Sequence, residues 1–520
     1  MTAQAIGSRF ERIATAPRAA RAAPLVAASL ALLVLVTGAR GVDLAAATYR
    51  VEMFGQNGLT VWDSQWYGGH WTFSYSVLFA PIGWLAGIPL MDIACSALAA
   101  WAFDRLAVPR FGRAGRLGAA VFAVGTVVQV AIGQEPYLLG ETFGLVALVA
   151  ANEGRLPLAL ALALACPFAS PLAGAFLAIA SAAWLVGRWP ARRGVAASVA
   201  GAAAVPLILL QVLFPGQGTM PFATLEFVGM LGALLPLGIV AARVDRAIAS
   251  GVLLYAATVA FAFFVPSALG DNITRLGACF GVALAATLAS SRVPGRRLLA
   301  IAAVPFALAQ WLPAEQALSG AADPSTSATY FHPLLTYLRQ ADQPLGRVEV
   351  VPTALHWEAA FVAPYLPLAR GWERQLDVAN NALFYGSHPL TPAAYRAWLL
   401  ANGVRFVALA DVSLDYSAFA EAGLVRAQAA GLSLVWRNAD WRVYAVQGAP
   451  GLVSGPAVLL SAGGADVALQ ATGTAPITVR ERYVGTWRVT RGDATIAEAS
   501  GGWLLVSPQR PGPIDLHVGL

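Results

Sequence analysis

The sequence predicts a polytopic α-helical membrane protein of about 11 transmembrane helices, with a C-terminal extracytoplasmic region of α/β and then β-sandwich character. Three observations predict it. Only 12% of the 520 residues are charged, 58% are hydrophobic and the mean hydropathy is +0.63, whereas soluble domains carry about a quarter charged residues. The long apolar runs are confined to the first 313 positions. Beyond residue 346, short alternating apolar and polar segments bounded by Gly and Pro replace them, as in half-buried strands.

The charges are as unevenly placed. Residues 1–313 carry 20 Arg against 12 acids, and residues 314–520 carry 14 Arg against 16 acids. The surplus positive charge thus belongs to the membrane half, which fits topology-setting arginines and not a nucleic-acid footprint. No nucleic-acid partner is expected. Cys95, Cys166 and Cys279 all lie in apolar segments, without CxxC or metal-ligand spacing. Each reads as a small buried hydrophobe.

Residues 1–22 hold Arg9, Arg12, Arg18 and Arg21 against Glu11. A basic flank before an apolar run also begins a signal peptide, but the many spans that follow favour a retained first helix. Apolar length places candidate helices at 23–39, 91–107, 117–134, 136–151, 155–170 and 171–187, then 194–214, 222–241, 247–266, 273–291 and 298–313. Together they make a transmembrane domain over 23–313, with a long first outer loop at 40–90. Segment 76–90 is apolar but broken by Pro81, Gly83, Gly87 and Pro89, which suits an interfacial or re-entrant piece.

With eleven spans the arginines sort. Arg105, Arg110, Arg113, Arg116, Arg155, Arg188, Arg192, Arg193, Arg243, Arg246, Arg292, Arg296 and Arg297 fall on the side of the N-terminus, while Arg40, Arg50 and Arg275 fall opposite. The positive-inside rule then makes the N-terminus cytoplasmic and the tail extracytoplasmic, in a multi-pass protein of the plasma membrane. Residues 314–345 read as a polar linker. Residues 346–448 mix strands and helices in α/β order, with no glycine-rich phosphate loop. Residues 449–520 alternate as a small antiparallel β-sandwich does.

Polar residues without a packing role collect in the outer loops. The stretch from Asp43 to Pro81 holds Asp43, Asp63 and His70 among many aromatics; Glu135 follows Gln134; and Asp271, Asn272 and Arg275 precede the tenth helix. Glu141 and Glu226 lie inside helices near their outer ends. Ionisable groups at membrane depth face a cavity or a partner. A carboxylate can take a hydroxyl proton and an arginine can hold phosphate, so Asp43 and Asp63 are candidate bases. His70, Glu135, Asp271, Asn272 and Arg275 are candidate substrate contacts.

Plainer roles compete. Asp43 could be solvated at the interface, Asp63 could cap a short helix, and residues 62–75 could form an aromatic belt. His70 reads as a structural hydrogen-bonding group more readily than as a metal ligand. Asp271–Asn272 could cap the tenth helix, and Arg275 could pair with Asp271 or snorkel. In the tail, His356, Trp357, Glu358, Arg370, Trp372, Glu373, Arg374, Asp377, Asn380, Asn381 and Tyr385 crowd into two runs. That concentration fits a carbohydrate site and a docking surface equally.

Asp43 shortly after helix one, Tyr49, the Gly58–Leu59 turn and the aromatic run ending FSYSVLFAP resemble the GT-C superfamily of polytopic membrane glycosyltransferases. The chain also looks like uncharacterised actinobacterial multi-pass membrane proteins carrying the strings WDSQWYGGH, ASPLAGAFLA, GDNITRL and ARGWERQLD. The GT-C resemblance implies an acidic base in the first outer loop, a polyprenyl-phosphate sugar donor, a glycan or lipid acceptor, and membrane lipid as partner. It leaves a divalent metal open and names no other cofactor. The chain departs from that pattern in lacking a paired acidic dyad after helix one. A transporter or lipid flippase is the rival reading, although no inverted repeat is visible. A non-catalytic envelope scaffold is the third.

Overall fold

The computed structural model describes residues 22–186, 193–216, 218–290, 295–341, 345–386 and 388–519. The N-terminal arginines Arg9, Arg12, Arg18 and Arg21, and the loop arginines Arg188, Arg192 and Arg292, lie outside the described residues. The chain divides into two compact units. One holds residues 22–39, 76–213 and 220–319, and the other holds 40–75, 214–219 and 320–519.

The first unit is helical. Its elements are α1 (Ala22–Thr37), α3 (Phe79–Ala86), α4 (Ile88–Phe111), α5 (Arg113–Ile132), α6 (Glu135–Asn152), α7 (Leu156–Ala169) and α8 (Pro171–Val186). They continue as α9 (Arg193–Leu213), α10 (Thr224–Val244), α11 (Arg246–Phe264), α12 (Thr274–Ser290) and α13 (Arg296–Ser319). Helix α2 (Val42–Asn57) belongs to the second unit. Each of the eleven apolar segments is therefore helical. Among the described residues six helices are long and apolar enough to cross a membrane, or up to eight if each of two bent helix pairs is one span. Helices α7 and α8 have 14 and 16 residues; at ~1.5 Å per residue they fall short of a ~30 Å hydrocarbon core. Helix α3 has only eight residues and meets α4 at 109° across Gly87, so segment 76–90 does not cross by itself.

Small residues let these helices approach. A Cβ on Gly118 of α5 would overlap the Thr287 hydroxyl of α12, and one on Gly281 of α12 would overlap the Phe306 ring of α13. Close backbone approach replaces the hydrophobic drive that lipid removes. At one end of this unit the arginine-bearing loops touch. Arg105 pairs with Glu153 at 2.5 Å, Arg110 pairs with Asp245, and Arg243 Nη1 packs on the position of Gly295.

The second unit joins the first loop to the tail. Strands β3 (Arg347–Val350), β4 (Val404–Ala410), β5 (Leu432–Arg437) and β6 (Trp441–Val446) form one sheet in the order β3-β4-β6-β5, parallel only between β3 and β4. The stretch read as a linker contains the end of α13 and the amphipathic helix α14 (Ala328–Ala341). That helix buries Tyr330, Phe331, Leu334, Leu335 and Leu338, the i, i+3, i+4, i+7 stripe of a core-facing helix. Beyond residue 452, two four-stranded antiparallel sheets follow: Ala494–Ala499, Trp503–Pro508, Ile477–Arg482 and Val453–Ser454 in that order, and Trp487–Arg491, Gly512–Val518, Asp466–Ala471 and Ala457–Gly463 in that order. Their inward residues alternate as a two-layer packing requires: Val467, Leu469, Ile514 and Leu516 in one sheet, Ile477, Val479, Leu504 and Val506 in the other.

The aromatic first loop is part of this unit's core. Ala45, Ala46 and Tyr49 of α2, with Trp66 and Tyr67, pack among Phe331, Leu334, Val350, Trp357 and Trp441. The string WDSQWYGGH folds as a hairpin of β1 (Trp62–Asp63) and β2 (His70–Trp71), pairing Trp62 with Trp71 and Asp63 with His70. Its turn needs positive φ at Tyr67, Gly68 and Gly69, which is the reason for the Gly-Gly pair. Tail residues bond the hairpin's backbone directly: Leu368 N donates to Gln65 O at 2.8 Å and Arg482 N to Gly68 O at 2.6 Å.

Candidate functional site

Four residues separate the end of α1 from the start of α2, and Asp43 lies in the first turn of α2, half-buried. The helix N-terminus favours a charged carboxylate there. Arg50 follows seven residues later on the same stripe, two turns or ~10 Å along the axis. Its Nη2 makes an ion pair with Glu373, and its guanidinium lies 3.8 Å from the Tyr75 ring centroid.

Asp63 has a different environment. It is 4% exposed; its Oδ2 accepts from the Tyr49 hydroxyl at 2.7 Å and its Oδ1 from Gln65 N at 2.9 Å. Burial, and then the Asp63 charge, push the Tyr49 phenol well above its ordinary range, so that phenol stays a donor. His70 faces Asp63 across the hairpin. It stacks on Trp66 at 5.5 Å and meets Tyr67 edge-on at 6.2 Å.

The other candidates belong to the helical unit. Glu135 is buried in the first turn of α6. Asp271 and Asn272 sit in the 3₁₀ turn Gly270–Ile273 immediately before α12, where the Asn272 amide donates to Ala268 O at 3.2 Å. Neither is an N-cap of that turn. Arg275 is the second residue of α12. The start of α12 is clamped by Tyr255 of α11, whose hydroxyl donates to Ile273 O at 2.7 Å and accepts from Gly277 N at 3.0 Å. One turn further along, Gln129 of α5 donates to Glu141 of α6 at 2.6 Å and to the Cys279 thiol of α12 at 3.0 Å. Tyr137 and Glu141 are one turn apart on α6, as Arg275 and Cys279 are on α12. The predicted residues thus fall into two sets. Asp43, Asp63 and His70 share the second unit; Glu135, Asp271, Asn272 and Arg275 share the first.

Sequence reasoning gave Gln129 no role, used Arg50 only for topology, and placed Glu373 only among the crowded tail residues. For Arg50 a signal existed in its seven-residue spacing from Asp43. For Glu373 and Gln129 none did, because their partners lie far away in sequence or on another helix.

The crowded tail residues form a buried ionic network. Arg370 pairs with Asp377 at 2.6 Å and Glu421 at 3.2 Å, with Glu349 at 3.8 Å. Arg374 pairs with Asp415 at 2.6 Å, and Asp415 also faces His356 at 3.2 Å. His356 stacks on Trp372 with centroids 3.5 Å apart. Burial disfavours the charged forms of Asp377 and Asp415, but the neighbouring guanidinium groups, with His356 at Asp415, outweigh it and hold both carboxyls below their usual range. Charges paired as those of Arg370, Arg374, Asp377 and Asp415 are organise a domain core more than they offer valence to a substrate. Among the described residues no group of three or more His, Cys, Asp or Glu could hold a metal ion.

Among solved structures, the chain is similar to the arabinofuranosyltransferase AftD from mycobacteria, determined by single-particle cryo-EM, with a TM-score of 0.43 and 16% identity. The match covers 96% of this chain but 40% of that one, so the chain spans well under half of that protein's length. No family model matches the chain, and no curated protein does.

Proposed function

We propose that the chain is a GT-C-like inverting glycosyltransferase, acting at the extracytoplasmic membrane face with a polyprenyl-phosphate-linked sugar donor in cell-envelope glycan assembly. The observation that carries this reading is the placement of Asp43: half-buried, in the first turn of the helix that directly follows the first apolar helix. Asp63 is already bonded through both carboxylate oxygens, so Asp43 is the proposed base. The arginine-lined end of the helical unit is proposed to be cytoplasmic, as the positive-inside rule has it.

In this mechanism Asp43 accepts the proton of an acceptor hydroxyl. The freed oxygen attacks the anomeric carbon from the side opposite the phosphate. The carbon–oxygen bond to phosphate breaks, and the phosphate leaves with the bonding pair, so the configuration inverts. A guanidinium fork suits the donor phosphate, to which it supplies charge-assisted hydrogen bonds. The test is sugar transfer in membranes from a polyprenyl-phosphate donor. Asp43→Asn should abolish transfer with the protein intact, and undiminished transfer by that variant would remove the mechanism.

One observation favours a transporter or flippase instead. Asp92 and Glu141 are buried inside the helical unit, each with a carboxylate oxygen that has no hydrogen-bond partner among the described residues. Buried intramembrane carboxylates often mark transport paths. Substrate uptake by proteoliposomes without any glycosyl product would establish that reading over the first.

A further inference from the structure

The hairpin and α2 leave several buried donors without acceptors. Arg50 has a side chain only 10% exposed, and its Nη1 has no hydrogen-bond partner among the described residues. Trp66 Nε1 and His70 Nδ1 are likewise buried and unpartnered. Arg50 and His70 both lie against the Trp66 ring. The Arg50 guanidinium lies 5.4 Å from the Trp66 ring, and His70 lies parallel to that ring at 5.5 Å. Native structures rarely leave a buried donor unsatisfied without a functional reason.

From this geometry we infer that Arg50, Trp66 and His70 form a binding site for a phosphate-class oxyanion. A tetrahedral oxyanion offers separate oxygens to several donors, and a guanidinium is the side chain best suited to hold one. His70 donates from Nδ1 in the tautomer this requires. The chain's own Glu373 already rests on Arg50 Nη2. That carboxylate occupies part of the guanidinium fork and competes with an arriving phosphate for it. Lipid-linked phosphate and free phosphate share this chemistry. The site stands whether or not the chain transfers a sugar, since it is defined by binding alone.

The test is equilibrium binding to the purified full chain in detergent, with inorganic phosphate as one probe and a polyprenyl phosphate as the other. Wild type should bind at least one probe. Binding of both shows that the phosphate group suffices, and binding of the lipid alone assigns the site to a lipid-linked phosphate. Arg50→Gln should weaken binding at least ~10-fold, through loss of a charge-assisted contact. Trp66→Phe and His70→Phe should each weaken it by a smaller factor. Glu373→Gln should tighten it, because the competing carboxylate is gone, whereas a merely structural ion pair predicts weaker binding from either partner's loss. The inference is overturned if wild type binds neither probe, if folded Arg50→Gln binds as wild type does, or if Glu373→Gln weakens binding as Arg50→Gln does.

Discussion

The Tyr49 hydroxyl donates to Asp63 Oδ2 at 2.7 Å, tying the middle of α2 to the first strand of the aromatic hairpin. Both residues are buried, so the bond is shielded from water, and removing the donor strands an acceptor. Tyr49→Phe should therefore cost about 1–3 kcal/mol, the usual penalty for an unsatisfied buried group. Thermal unfolding of the full chain in detergent, followed by tryptophan fluorescence, checks this. An unshifted midpoint would mean that Asp63 is held some other way and is available for chemistry.

Glu349 makes the stability of the second unit depend on pH. Burial, and then the neighbouring Glu421 charge, raise its carboxyl well above the ordinary range. The folded chain therefore keeps a proton that the unfolded chain releases above about pH 4.3. Stability from this group is complete below that pH and falls as the pH climbs toward the folded value. Glutamine has the same shape and no such proton. Glu349→Gln should match wild type near pH 4.5 and exceed it increasingly toward pH 8 in unfolding midpoint. A gap that narrows as pH rises would refute the assignment.

His356 titrates in the same direction for another reason. Burial lowers its imidazole, but hydrogen bonds to Asp415 and Glu358 outweigh burial and leave it raised above its usual value. A raised histidine contributes stability that is fully present below about pH 6.5 and is lost as pH rises through its folded value. His356→Gln should accordingly destabilise the chain more at pH 5 than at pH 8. Equal losses at both pH values would show that only packing against Trp372 matters there.

The apolar helices were legible because membrane burial is written locally, in runs of Ala, Leu and Val. Helix α14 was missed: Phe331, Leu334, Leu335 and Leu338 carry helical spacing, but the Ser, Thr and Pro upstream of it led the stretch to be read as a linker. The fate of the aromatic loop was not legible either. Its hairpin turn is written in Gly68–Gly69, but its partners, Leu368 and Arg482, lie some 300 and 400 residues away, and no spacing rule reaches that far. For the same reason, the residue types at Asp43, Asp63, Glu135 and Arg275 marked candidates without showing that Asp63 was already bonded or that the set divides between two units. Asp43 and Arg50 share a helical stripe that the seven-residue spacing alone gives.

The hairpin's seat on the tail gives the last prediction. A Cβ at Gly371 would overlap Trp66 from Cβ to Cδ2. Trp66 has nowhere to retreat: it is fully buried, with Tyr49 stacked on it at 4.4 Å and His70 at 5.5 Å. Overpacking at such a site typically costs about 1–3 kcal/mol. Gly371→Ala should lower the unfolding midpoint and open residues 58–75 to limited proteolysis, because displacing Trp66 also pulls on the Gln65–Leu368 backbone bond. Gly386→Ala is the control, since its Cβ would meet nothing closer than 3.7 Å, and it should leave both readouts at wild-type values. Equal behaviour of the two variants would show that the hairpin is not wedged against the tail at Gly371.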